Sequence, residues 1–138
     1  METTIETRVL THQGALQMLT AAVAAAEAAG QPQCIVIMDA RGELLGEIVM
    51  TGAKVLSRKS ARSKALTAAS TGAPSANIPE AVRAAIGGAT GGAVTGLPGG
   101  LPIIVDGVLM GGIGVGSGTG PQDIEVARAA LAAVGADT

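Results

Sequence analysis

The sequence predicts an α+β domain in which helices pack on a central antiparallel sheet. Two pairs of short β-rich runs are each joined by a turn-length connection, which makes the paired strands antiparallel. Three longer segments carry apolar residues at three- and four-residue steps, the helical period. No helix separates the members of either strand pair, so the βαβ crossovers of a doubly wound nucleotide fold are missing. With 138 residues, the chain is long enough for one hydrophobic core, and a single domain over residues 1–138 is expected.

Taken in order, Thr11–Ala29 reads as an amphipathic helix: Leu16, Leu19, Val23 and Ala26 recur at helical spacing, Thr11 is an N-cap, and Gly30 and Pro32 end it. Cys34–Met38 is a continuous apolar run, and the cluster Asp39–Gly42 turns the chain into a second strand, Glu43–Met50. Lys54–Ser70 places Val55, Ala61, Ala65, Leu66 and Ala69 near one face of a second, basic helix. Thr71–Gly100 holds Pro74, Pro79, Pro98 and three Gly-Gly pairs. Only Ile78–Ile86 there has helical character, and the rest reads as a long connection that could act as a lid. Leu101–Val105 and Val108–Val115 flank Asp106-Gly107, the strongest hairpin signal in the chain. Pro121–Val134 is the last helix, with Thr119 and Gln122 at capping-box spacing.

Composition removes several functional classes. The chain has no Phe, Tyr or Trp, against 21 Gly and 27 Ala. A core of Ala, Val, Ile and Leu buries less area per residue than one with aromatics, so part of the stability is expected to come from contacts between subunits. Base-stacking modules need exposed aromatics, and the formal charge of −2 provides no basic field for a polyphosphate. Nucleic acid is therefore not an expected partner. Cys34 is the sole cysteine, so an intrachain disulfide is excluded, and Met1–Leu10 lacks an apolar signal core. No uninterrupted apolar run reaches membrane-spanning length, since the alanine-rich stretch Ala21–Ala29 is short and contains Glu27. A cytoplasmic location with no membrane partner is the expectation.

Candidate functional residues fall into three groups. Gly111–Gly120 alternates glycine with other residues and leads into a helix N-terminus, where N–H groups and the dipole favour an anion near Ser117, Gly118 and Thr119. The spacing matches neither GxGxxG nor GxxxxGK[ST]. The same glycines equally suit close packing of a strand on a helix or a second subunit. Gln122 and Asp123, in the first helical turn, are either caps or catalysts. His12 is the only histidine, so neither a two-histidine metal site nor a structural zinc site can be built and no metal is expected. It is either a surface residue or an axial haem ligand, for which one imidazole per chain suffices. Arg58, Lys59, Arg62 and Lys64 cluster within seven residues. Arg58 and Arg62 share a helix face and Lys64 points away from them, giving either a solvated surface or an anion-binding wall. Cys34, within an apolar strand, reads as a buried, inert thiol.

The run from Gly99 to Asp123, with its GG-x-P-apolar-Asp-Gly, G-x-apolar-G-V and T-x-x-Q-D segments, resembles the GlcG/HbpS family, which also includes the C-terminal domain of PduO-type proteins. Upstream, Ile35-Val-Ile-Met-Asp39, Gly42 and the Lys64-Ala-Leu-Thr67-Ala-Ala69 segment extend the resemblance to nearly all of the chain except Thr71–Leu97. The resemblance implies a profilin-like fold with a sheet of about five strands and homo-oligomers from dimer to octamer. It also implies binding of haem or a related tetrapyrrole, or association with catabolic gene clusters. Lys64, Thr67, Gly99, Gly100, Asp106, Gly107, Gly114, Gln122 and Asp123 match the family motifs.

Two readings of function stand side by side. In the first the chain binds haem or another small ligand, with His12 as ligand to the iron. In the second it is a small cofactor-free catabolic enzyme acting on an organic acid or carbonyl compound. There Lys64, Arg58 and Arg62 would hold the anion, the glycine-rich helix start would stabilise developing negative charge, and Asp123 or Lys64 would move a proton.

Overall fold

A computed structural model describes residues 1–138. Helix α1 (His12–Ala28) is followed by strands β1 (Cys34–Asp39) and β2 (Leu44–Val49), then helix α2 (Ser57–Thr71). A short helix α3 (Arg83–Ala89) precedes strands β3 (Gly100–Val105) and β4 (Val108–Gly116), and helix α4 (Gly120–Ala133) closes the chain. The sheet has four strands in the order β2-β1-β4-β3, and each neighbouring pair is antiparallel. It thus has one strand fewer than the resemblance implies, because no segment of 71–99 pairs with an edge.

The hairpin at Asp106-Gly107 forms as the sequence requires. Both residues have positive φ, 50° and 77°, the backbone of a two-residue turn whose twist matches the flanking strands. Helix α1 begins at the Thr11 cap, whose hydroxyl accepts the Gly14 N–H. Helix α4 carries the full Thr119/Gln122 capping box.

β1 is buried on both faces, which explains why its sequence is continuously apolar rather than alternating. Ile35 and Ile37 join Leu101, Ile103, Ile113 and Val115 beneath α1 and α4, while Cys34, Val36 and Met38 meet Ala61 and Ala65 of α2 on the opposite face. The result is a sheet between two helical layers.

The alternating glycines of 111–116 lie within β4, in line with the strand expected over Val108–Val115. Gly112 and Gly114 point at α2, where an added methyl would overlap the carbonyl oxygens of Ala65 and Ala61 respectively. Side chains have been removed from this strand face so that the helix backbone can rest on the sheet. The segment 71–99 is also not free chain. It contains two 3₁₀ turns, Ser75–Asn77 and Glu80–Val82, besides α3, which starts later than the helical character of Ile78–Ile86 suggested. Thr67 pins it to α2 by donating to Ser63 O (2.8 Å) and Ala93 O (3.2 Å) and accepting from Thr95 N–H (3.0 Å).

Candidate functional site

Because α2 lies close on β4, one stripe of the helix reaches the strand's C-terminal end. Ser57, Ser60 and Lys64 follow one another at three- and four-residue steps, the helical neighbour spacing. The Lys64 ammonium donates to the Val115 carbonyl (2.7 Å) and to Asp123 Oδ2 (3.0 Å). Asp123 sits in the first turn of α4, and its Oδ1 accepts the Gly118 N–H at 3.0 Å. Both side chains are buried, with 6% and 4% of their surface exposed. Burial pushes the Asp123 carboxyl above its ordinary range, against the opposing pull of the Lys64 hydrogen bond and charge.

Beside this pair opens a cleft of about 350 Å³ whose lining includes Lys54, Ser57, Ser60, Lys64, Ser117 and Asp123, together with Leu97, Pro98, Gly118 and Gly120. The turn from β4 into α4 is held tightly. Ser117 has φ +85°, a conformation uncommon outside glycine. Its carbonyl accepts from Gln31 Nε2 (2.9 Å) and its hydroxyl from the Lys54 N–H (2.9 Å). Behind Gly118 the Gln33 side chain is fully buried, and its amide nitrogen and oxygen have no partner within the chain.

The residues singled out from sequence do not all meet in one place. Lys64, Asp123, Ser117 and Gly118 meet in the cleft. Gly99 adjoins it; a methyl there would stand 2.6 Å from Val115 O and 3.1 Å from Lys64 Nζ, so the glycine makes room for the ion pair. Gly100 donates to the Ser75 hydroxyl at 2.9 Å, and a methyl on it would meet the Lys64 carbonyl. Thr67 faces the 93–95 segment, and Thr119 is occupied as the α4 cap.

Arg58 and Arg62 lie on another face of α2. They converge on Glu47 of β2, at 2.6 and 2.8 Å, and hold its carboxyl below the usual range through hydrogen bonds, Arg62 more than Arg58. Their guanidinium groups tie a helix to the sheet edge rather than forming an anion wall with Lys64. His12 stands alone at the first residue of α1, exposed, with neither ring nitrogen hydrogen-bonded within the chain. Leu16, one turn along the same face, is 60% exposed.

Lys54, Ser57 and Ser60 of the cleft, and Gln33 behind it, were not apparent from sequence. The 57, 60, 64 spacing on a basic helix was a usable signal for the two serines; nothing local marks Gln33 or Lys54.

An antiparallel sheet between helical layers, with a polar cleft where a strand feeds a helix start, defines the class of protein: a small α+β domain with a cleft of ligand-binding size. The chain belongs to the HbpS-like family, whose model, described as haem degrading protein HbpS-like, matches residues 10–132. Its fold is similar to that of a PduOC:haem complex (28% identity, TM-score 0.88, covering 95% of this chain and 99% of that one). It is also similar to HbpS (32% identity, TM-score 0.82, 94% and 93% covered). A third similar structure is the Klebsiella pneumoniae protein ORFY (26% identity, TM-score 0.93, 100% and 99% covered). No curated protein matches the sequence. No helix is long and apolar enough to cross a membrane.

Proposed function

We propose that this protein binds haem or a related tetrapyrrole through the His12 imidazole. The observation that carries the reading is the state of that side chain: the only imidazole in the chain is exposed, its ring nitrogens are uncommitted, and an exposed leucine shares its helix face. His12 would hold the iron by one nitrogen, with the exposed Leu16 side chain beside it. The polar cleft does not fit a macrocycle, since only one of its ten lining residues is hydrophobic. The likeness to a PduOC:haem complex over nearly the whole chain supports the same reading. Haem, when bound, supplies iron-centred chemistry. The chain's own part would be to present one nitrogen ligand from His12.

One open helix face covers less of a ligand than the 70–90% typical of a small-molecule site, so the reading includes self-association. Val55 and Leu56, in the turn before α2, are 81% and 75% exposed, and Leu44, Leu45, Ile48 and Val49 of the edge strand are also exposed. Large exposed apolar residues such as Val55 and Leu56 are candidates for an association face.

Haemin titration tests the proposal. The expected result is a saturable shift of the Soret band in the parent protein that is lost in His12→Ala. Mixing without spectral change, or an identical titration of the variant, overturns it.

A further inference from the structure

We propose that the cleft between α2 and the start of α4 is a second site, independent of His12, that binds a small carboxylate with a single negative charge. The hydrogen-bonding groups around it offer donors and few acceptors. The Lys54 ammonium is exposed and forms no hydrogen bond or ion pair with the rest of the chain. The Ser57 hydroxyl has no partner within the chain, and the Ser117 hydroxyl accepts from Lys54 N–H and keeps its own proton to give. The Lys64 ammonium spends two of its three protons on Val115 O and Asp123. Both oxygens of Asp123 are already engaged by Lys64 and Gly118, so the carboxylate is matched before a ligand arrives. Only the Ser60 hydroxyl, donating to Ser57 O at 3.1 Å, presents mainly its acceptor side.

Charge and size narrow the ligand. Lys54 and Lys64 against Asp123 leave one unbalanced positive charge, and the N-terminus of α4 adds to it. A carboxylate, which accepts hydrogen bonds and donates none, complements such a set. The volume of about 350 Å³ lies near the lower end of ligand pockets, which suits an acid of a few carbon atoms. Two further features lie beside the cleft. Ser117 is held at positive φ by two hydrogen bonds, and non-glycine strain of this kind gathers at ligand clamps. The unpaired amide of Gln33 lies directly behind Gly118, within 2.8 Å of where a methyl on that glycine would sit. Buried amides without partners are rare in native proteins.

Calorimetric titration with sodium acetate, sodium lactate and inorganic phosphate tests the site. The expected result is saturable binding of acetate or lactate at about millimolar concentration, weakened about tenfold by Lys54→Gln and less by Ser57→Ala, and weakened further by added salt. Neither variant removes a bond that the fold uses, so both should unfold as the parent does. His12→Ala leaves carboxylate binding unchanged, which separates this site from the haem reading. No binding of either acid at about ten millimolar, or equal binding by parent and both variants, overturns the proposal. Phosphate binding more tightly than both acids overturns the assignment to a carboxylate.

Discussion

Replacing Lys64 by methionine keeps a long, flexible chain in place but removes the ammonium from a buried pair whose members are 6% and 4% exposed at 3.0 Å. Asp123 is then left with the Gly118 N–H alone, and the Val115 carbonyl loses its 2.7 Å donor. Breaking a buried ion pair from one side costs about 3–5 kcal/mol, because the remaining charge stays desolvated. At about 1.4 kcal/mol per tenfold, that lowers the folding equilibrium by two to three and a half orders of magnitude, a large share of a stability of about 5–15 kcal/mol. The assay is urea unfolding of Lys64→Met, Asp123→Asn and the double variant. The double variant should recover about 2 kcal/mol of the sum of the single losses, since neither charge then lacks its partner. The effect also has a pH sign. Burial raises the Asp123 carboxyl already, and losing Lys64 raises it more. A group raised on folding favours the folded state at pH below its unfolded value and loses that contribution as pH rises through its folded value. The Lys64→Met deficit therefore narrows on acidification. A loss below about 1 kcal/mol, typical of an exposed pair, would refute this account of the site.

Three other outcomes follow from the packing and charge arrangement. Gly114→Ala forces a methyl against the Ala61 carbonyl of α2 and should cost about 1–3 kcal/mol or more; Gly88→Ala, on α3 with nothing near its added methyl, should be neutral or slightly stabilising in the same unfolding assay. Glu47 is held below its ordinary 4.5 by Arg62 and Arg58, so its contribution is present above that value and lost as pH falls through the folded one. The stability gap between the parent and Glu47→Gln should be widest near neutral pH and close in acid. Light scattering on the Val55→Lys/Leu56→Lys double variant should give a smaller assembly than the parent, because two strongly exposed apolar residues become charged; an unchanged mass places the association face elsewhere.

The order of elements was legible because its signals are local. The helical period of α1, the Asp106-Gly107 turn and the Thr119/Gln122 cap each depend on residues close together in the chain. The Gly111–Gly120 segment shows the limit of that reasoning. The strand over Val108–Val115 could be read, but whether its glycines served an anion or packing could not, because Gly112 and Gly114 answer to Ala65 and Ala61, far away in sequence. Arg58 and Arg62 teach the same point: their helix face could be read, but Glu47 lies on a strand that the sequence does not place beside it. Lys64 and Asp123 stood out as motif residues, whereas their pairing across 59 positions depends on α2 resting directly on a strand face stripped of side chains. Lys54 reaches the cleft through the turn at Ser117, whose hydroxyl accepts its N–H and for which no local pattern exists.

The single histidine offers the most direct test of the proposed function. In protein labelled only at histidine, the magnetic resonance spectrum holds one imidazole, that of His12. Adding haemin should shift or broaden that resonance in step with the change in the Soret band. A resonance that stays in place and keeps its width while haemin saturates the protein would contradict ligation by His12.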